Sequence, residues 1–159
     1  MPYDDLLRGR YSSPGQIYCV TTVVQKRQPL FADFFTARAL ICELRHQHNL
    51  GHVNSLAWVI MPDHLHWLLQ LNRGWPLEKI IKTVKSRSAL RINKRVSRSG
   101  SLWQKGYHDR ALRTHDSVRT AARYVVANPL RAGLVRRVGD YPHWDCIWVG
   151  EGYRGNVVD

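Results

Sequence analysis

Hydrophobic and polar positions along the chain alternate between two periods, and the switches between them outline the elements. Residues 16–24 (QIYCVTTVV) are rich in β-branched and aromatic side chains and read as a strand. Residues 33–49 place Phe34, Ala37, Leu40, Ile41 and Leu44 at helical spacing behind an Asp suited to capping the first turn. Two further strands, 52–61 (HVNSLAWVIM) and 64–71 (HLHWLLQL), flank Pro62 and Asp63, which is turn chemistry and predicts a β-hairpin. Residues 75–96 carry an apolar stripe of Leu77, Ile80, Ile81, Val84, Ala89, Leu90 and Ile92 and read as a long basic helix. A flexible basic loop, SRSGS, leads to a weakly patterned strand over 103–113 and then to a helix over 115–127. That helix has Thr114 or Asp116 to cap it and Pro129 to stop it.

The tail mixes Pro, Gly and aromatic residues, with a short helical turn near 130–135, and no internal repeat is visible. The order strand, helix, strand, strand, helix, strand, helix is that of a split βαβ unit. It predicts an α+β, ferredoxin-like domain, with an antiparallel sheet and helices packed mainly on one face. One domain is expected over 1–159, as a leader (1–15), a core (16–137) and a tail (138–159).

Charge adds the first functional constraint. Lys and Arg number 24 against 12 Asp and Glu, a formal net charge of +12. A surface this basic attracts phosphates through counterion release, which points to nucleic acid. No apolar run approaches the roughly 20 residues of a membrane span, and the first residues lack the order of a signal peptide, so a cytoplasmic protein is expected. Cys19, Cys42 and Cys146 are odd in number and widely spaced, which suits small core residues better than disulfides or a zinc site.

In MPDHLHWLLQL the period of two puts His64 and His66 on one side of a strand and Leu65 and Trp67 on the other. Two imidazoles on one face can converge on a divalent metal, although an isolated HxH more often marks two ordinary hydrogen-bonded histidines. Tyr124 is a candidate nucleophile, although such a tyrosine taken alone more often serves a core or an interface, and Asn128 one turn later could offer an amide oxygen to the metal. His108 and Asp109 read either as an orienting pair behind these residues or as a polar strand end. Lys82, Lys85, Arg87, Arg91, Lys94 and Arg95 on the basic helix form a candidate phosphate-gripping surface. Trp103, Trp144 and Trp148 suit either base stacking or, for most of them, core packing.

Taken together, GQIYCVTT, MPDHLHWLL, KSRSALRINK, LWQKGYHDRALR and RYVVANPLRAGLV, in that order, resemble the single-tyrosine HUH transposases of the REP-associated branch, over roughly residues 14–137. The resemblance implies that His64 and His66 are the HUH pair and Tyr124 the nucleophile. It places Asn128 where related transposases hold a third metal-coordinating side chain, usually Gln. It further implies Mg²⁺ or Mn²⁺, and cleavage of single-stranded DNA beside a REP-type hairpin with an adjacent guide tetranucleotide, through a 5′-phosphotyrosine. Arg10, Ser12 and Ser13, with the basic helix, become candidates for hairpin and guide contacts, and a monomer is expected. The competing readings are a non-catalytic hairpin DNA-binding or RNA-binding protein on the same fold and, more remotely, a zinc hydrolase, for which no HExxH is present.

Overall fold

The computed structural model of the protein describes residues 12–150. Five strands form one antiparallel sheet: β1 (Ile17–Val23), β2 (Val53–Met61), β3 (His64–Leu71), β4 (His108–Leu112) and β5 (Trp144–Cys146), ordered β4-β1-β3-β2-β5. The first four in the order 4-1-3-2 are the expected split βαβ arrangement. The helices are α1 (Phe34–Asn49), α2 (Leu77–Val96), α3 (His115–Val126) and the short α4 (Asn128–Arg131).

Each long helix starts where a side chain satisfies a free amide, as helix ends require. Asp33 accepts from the Thr36 amide at 2.8 Å, and Thr114 accepts from the Ser117 amide at 3.1 Å. Pro76 cannot do this for α2, and the hydroxyl of Ser12 supplies the bond instead, accepting from the Leu77 amide at 3.1 Å.

The pleat of β3 sorts its residues between two cores. Leu65, Trp67, Leu69 and Leu71 face α1 and α2, packing with Leu40, Leu44, Ile80 and Ile92. Leu68, with Ala57, Val59 and Met61 of β2, packs on Val118, Ala121, Ala122 and Val125 of α3. Two of the three long helices thus share one face, and α3 covers part of the other, lying on β2, β3 and β5. Over β1 and β4, Ile17, Cys19 and Leu112 still reach the α3 core, and the second face opens beside Thr21 and His108.

Three local expectations change. The 103–113 segment is strand only over β4, with Trp103 making an isolated bridge to Val24. Leu90 is exposed rather than part of the α2 stripe, and Ser88 takes the buried place, accepting from the Trp103 indole at 3.0 Å. The tail forms a strand: β5 pairs with Ala57, Trp58 and Val59, while the Tyr141 hydroxyl donates to the Ile60 carbonyl at 2.5 Å. Among the described residues no helix is long and apolar enough to cross a membrane.

Candidate active site

His64 and His66 stand at the start of β3, just after the Pro62-Asp63 turn, and their rings lie edge to face with centroids 4.8 Å apart. Each Nδ1 already has a partner. His64 Nδ1 is 2.7 Å from Asp63 Oδ1, and His66 Nδ1 is 2.8 Å from the Thr21 hydroxyl on β1. Burial raises the Asp63 carboxyl, but the bond and charge of His64, together with Arg27, more than offset this and hold it below the ordinary carboxylate value. An ionised carboxylate only accepts, so His64 Nδ1 is the donor in this bond and Nε2 is the ring nitrogen left for another partner. The Thr21 hydroxyl can play the same part for His66.

His66 is pushed down to about 4, first by burial, then by the charges of His64 and Arg131. It is therefore neutral at pH 7, the state in which imidazole binds a metal. In the unfolded chain the ring takes up its proton near 6.5. Between those values the folded protein binds fewer protons than the unfolded chain, so stability drops as pH falls through that window. Replacing His66 by Gln removes this titration. The urea midpoint of His66→Gln is expected to shift less between pH 7 and pH 4 than that of the parent.

These features fit a divalent metal bound by two imidazole Nε2 atoms. Among the described residues no group of three His, Cys, Asp or Glu side chains is placed to hold one. Asn128 opens α4 and is half-buried, but it does not line the cleft described next.

Registered neighbours in a sheet share a face, so His66, Thr21 and His108 form a row across β3, β1 and β4. The row faces the open part of the sheet beside α3, a cleft of about 840 Å³. Cys19, Thr21, His66, His108 and Tyr124 all line it. Tyr124 stands at the margin of the cleft, beside Ala121 and Val125, and is 61% exposed. His108 and Asp109 both border the cleft, but successive strand residues point to opposite faces, so the two do not converge on one point.

The basic residues of α2 divide into groups. Arg87 and Arg91 bond the buried carboxylate of Glu43 at 2.8 and 3.1 Å. The Lys85 ammonium donates to the carbonyls of Gln104 and Gly106 at 2.8 and 2.7 Å, and burial pushes it down to about 8. Arg95 lies over the Phe35 ring, 4.6 Å from its centroid. Lys82 and Lys94 are exposed. In the leader, Ser12 caps α2 and the Ser13 amide donates to the Tyr18 hydroxyl at 3.0 Å, while Arg10 lies outside the described residues. Trp103 is core, packed 5.5 Å from Phe31, and Trp144 and Trp148 are half-buried beside the α3 core.

Sequence reasoning missed Asp63, Thr21 and Arg131. Asp63 adjoins the HxH and was readable as its partner. Thr21 becomes visible only with the strand register, and Arg131 sits inside the RYVVANPLRAGLV segment with nothing local to single it out.

Comparison with known proteins places this geometry among relatives. Residues 13–128 match the family model described as "Transposase IS200 like". The chain is 29% identical over 89 residues to the REP-associated tyrosine transposase of Escherichia coli K12, a match covering 54% of this chain and 50% of that protein. The chain thus spans about half the length of that relative. A Haemophilus influenzae Rd protein assigned to the same group is 26% identical over 144 residues, covering 81% of this chain and 78% of its own. Among solved structures, a REP-associated tyrosine transposase bound to a REP hairpin superposes with a TM-score of 0.71 at 22% identity, over 94% of this chain and 92% of that one. A Deinococcus radiodurans R1 protein assigned as a transposase gives a TM-score of 0.53 at 22% identity, over 76% and 95%.

Proposed function

The chain belongs to the IS200-like transposase family, and from that premise we propose that it is a metal-dependent single-strand DNA endonuclease and strand transferase acting through Tyr124. The observation that carries this reading is the single cleft lined by both Tyr124 and His66, next to a second imidazole whose Nε2 is kept for a ligand.

His64 and His66 hold Mg²⁺ or Mn²⁺ in this reading, with Asn128 the proposed third donor. The bound cation supplies Lewis-acid polarisation of a non-bridging phosphate oxygen. Asp63 and Thr21 fix the two rings, as partners behind metal ligands commonly do. The Tyr124 hydroxyl attacks phosphorus: the bond from its oxygen to phosphorus forms and the bond to the 3′ oxygen breaks. The phenolic proton passes to solvent and the departing oxygen gains one, leaving a 5′-phosphotyrosine and a free 3′ hydroxyl. Attack by a 3′ hydroxyl reverses these changes and joins strands. The proposed substrate is DNA with a REP-type hairpin and a flanking guide tetranucleotide, the hairpin being the ligand of the superposed relative. The protein acts as a monomer in this reading.

The test is to incubate the protein and Mn²⁺ with single-stranded hairpin DNA labelled at either end, then separate the products on a denaturing gel. Label on the fragment 3′ of the cut is expected to migrate with protein, and label on the other fragment to run free. Tight binding without adduct across several hairpins would instead favour a non-catalytic binder.

The division of the basic helix makes a second prediction. Lys82→Ala is expected to reduce the slope of log affinity against log salt by about 1, with stability changed by less than about 0.5 kcal/mol. Lys85→Met is expected to leave that slope alone and to cost about 1.5–3 kcal/mol in urea denaturation, because two carbonyls lose a charged donor.

A further inference from the structure

Arg131 belongs to no role assigned so far. Ala127 joins α3 to α4 with a right-handed helical backbone, so residue 131, two turns beyond residue 124, comes to the same side. The guanidinium carbon of Arg131 lies 3.6 Å from the centroid of the Tyr124 ring, and Nη2 donates to the Tyr124 carbonyl at 2.6 Å. Tyr124 and His66 line the same cleft, so a group held over the Tyr124 ring stands at its mouth. An exposed tyrosine would otherwise sample several rotamers, and this one is held by both its ring and its backbone.

We propose that Arg131 is a positioning residue that fixes the Tyr124 phenol and turns its remaining N–H donors to a DNA phosphodiester entering between Tyr124 and His66. The proposal rests on the reading of Tyr124 as nucleophile. A guanidinium has five N–H donors, so one bond to a carbonyl leaves a planar fork for phosphate oxygens. It can also stack on an aromatic face while doing so. Lysine offers the charge without the fork.

The experiment uses the full chain with Arg131→Gln and Arg131→Lys, both checked for folding by circular dichroism. Single-turnover adduct formation is measured at saturating hairpin DNA, and affinity separately in the Tyr124→Phe background. Loss of positioning is expected to slow adduct formation by about a hundredfold in Arg131→Gln, with partial recovery in Arg131→Lys and hairpin affinity reduced far less than the rate, since one phosphate contact among several is lost. In fluorotyrosine-labelled protein, the ¹⁹F resonance that Tyr124→Phe deletes is expected to move in Arg131→Gln while the others stay in place. An unmoved resonance, a parental rate, or an affinity loss as large as the rate loss would overturn the proposal. The resonance reports the contact without any turnover. Absence of adduct in the parent protein would therefore count against the nucleophile reading and leave the positioning result separately readable.

Discussion

Tyr124→Phe is expected to reduce covalent adduct formation by at least about a thousandfold while leaving hairpin affinity and stability close to those of the parent. The substitution removes one oxygen. The ring that Arg131 covers stays, and the backbone carbonyl that Arg131 bonds is untouched. Because the residue is 61% exposed at the cleft margin, no core packing is lost, and a change within about 0.5 kcal/mol is expected. Loss of a nucleophile is far larger than loss of a group that only orients it, since no neighbour can form the same bond. The measurement is a denaturing gel for the adduct beside fluorescence anisotropy for binding. An adduct of undiminished yield would mean that another residue attacks the phosphate.

The largest expected effect on stability comes from Trp67→Ala. Trp67 is fully buried on the middle strand of the sheet, registered with Val20 on β1 and Trp58 on β2, and its indole donates to the Ser55 hydroxyl at 2.9 Å. Truncation removes the side chain from the α1 and α2 core and leaves a cavity, at a cost of about 3–5 kcal/mol. For a domain whose whole stability is about 5–15 kcal/mol, that is a fifth or more of the total. At this chain length it corresponds to a fall in melting temperature of roughly 6–20 °C. Trp67→Phe fills most of the space and is expected to lose much less. Since His66 precedes Trp67, cleavage is expected to fail in the alanine variant above its lowered transition and to survive in the phenylalanine variant.

What the sequence makes legible follows the range of the interactions involved. The alternation in HLHWLLQL depends only on the strand's own geometry, so the shared face of His64 and His66 could be read directly. The Asp33 cap and the apolar stripe of α3 are equally local. The capping of α2 by Ser12 joins residues 65 positions apart, and the Glu43 carboxylate reaches Arg87 and Arg91 across 44 and 48 positions. No local pattern reveals such pairs. The basic helix therefore read as a uniform charged face, although Lys85 pins a loop and two arginines answer a buried acid. The strand formed by Trp144–Cys146 was invisible for a related reason: three residues show no periodicity, and only the edge of β2 makes them a strand.

That short strand has a consequence for how the protein behaves in concentrated solution. An open sheet edge offers unpaired amides and carbonyls on which another chain can add, and the hazard grows with the length and apolar character of the strand. One edge here, β4, is five residues long and carries Asp109 and Arg110, both poor partners for a second copy. The other would be β2, nine residues reading VNSLAWVIM, were it not paired along Ala57, Trp58 and Val59 by β5. The tail thus acts as a guard against self-association. Shortening the chain ahead of Trp144 would turn the most apolar strand of the sheet into a template for aggregation.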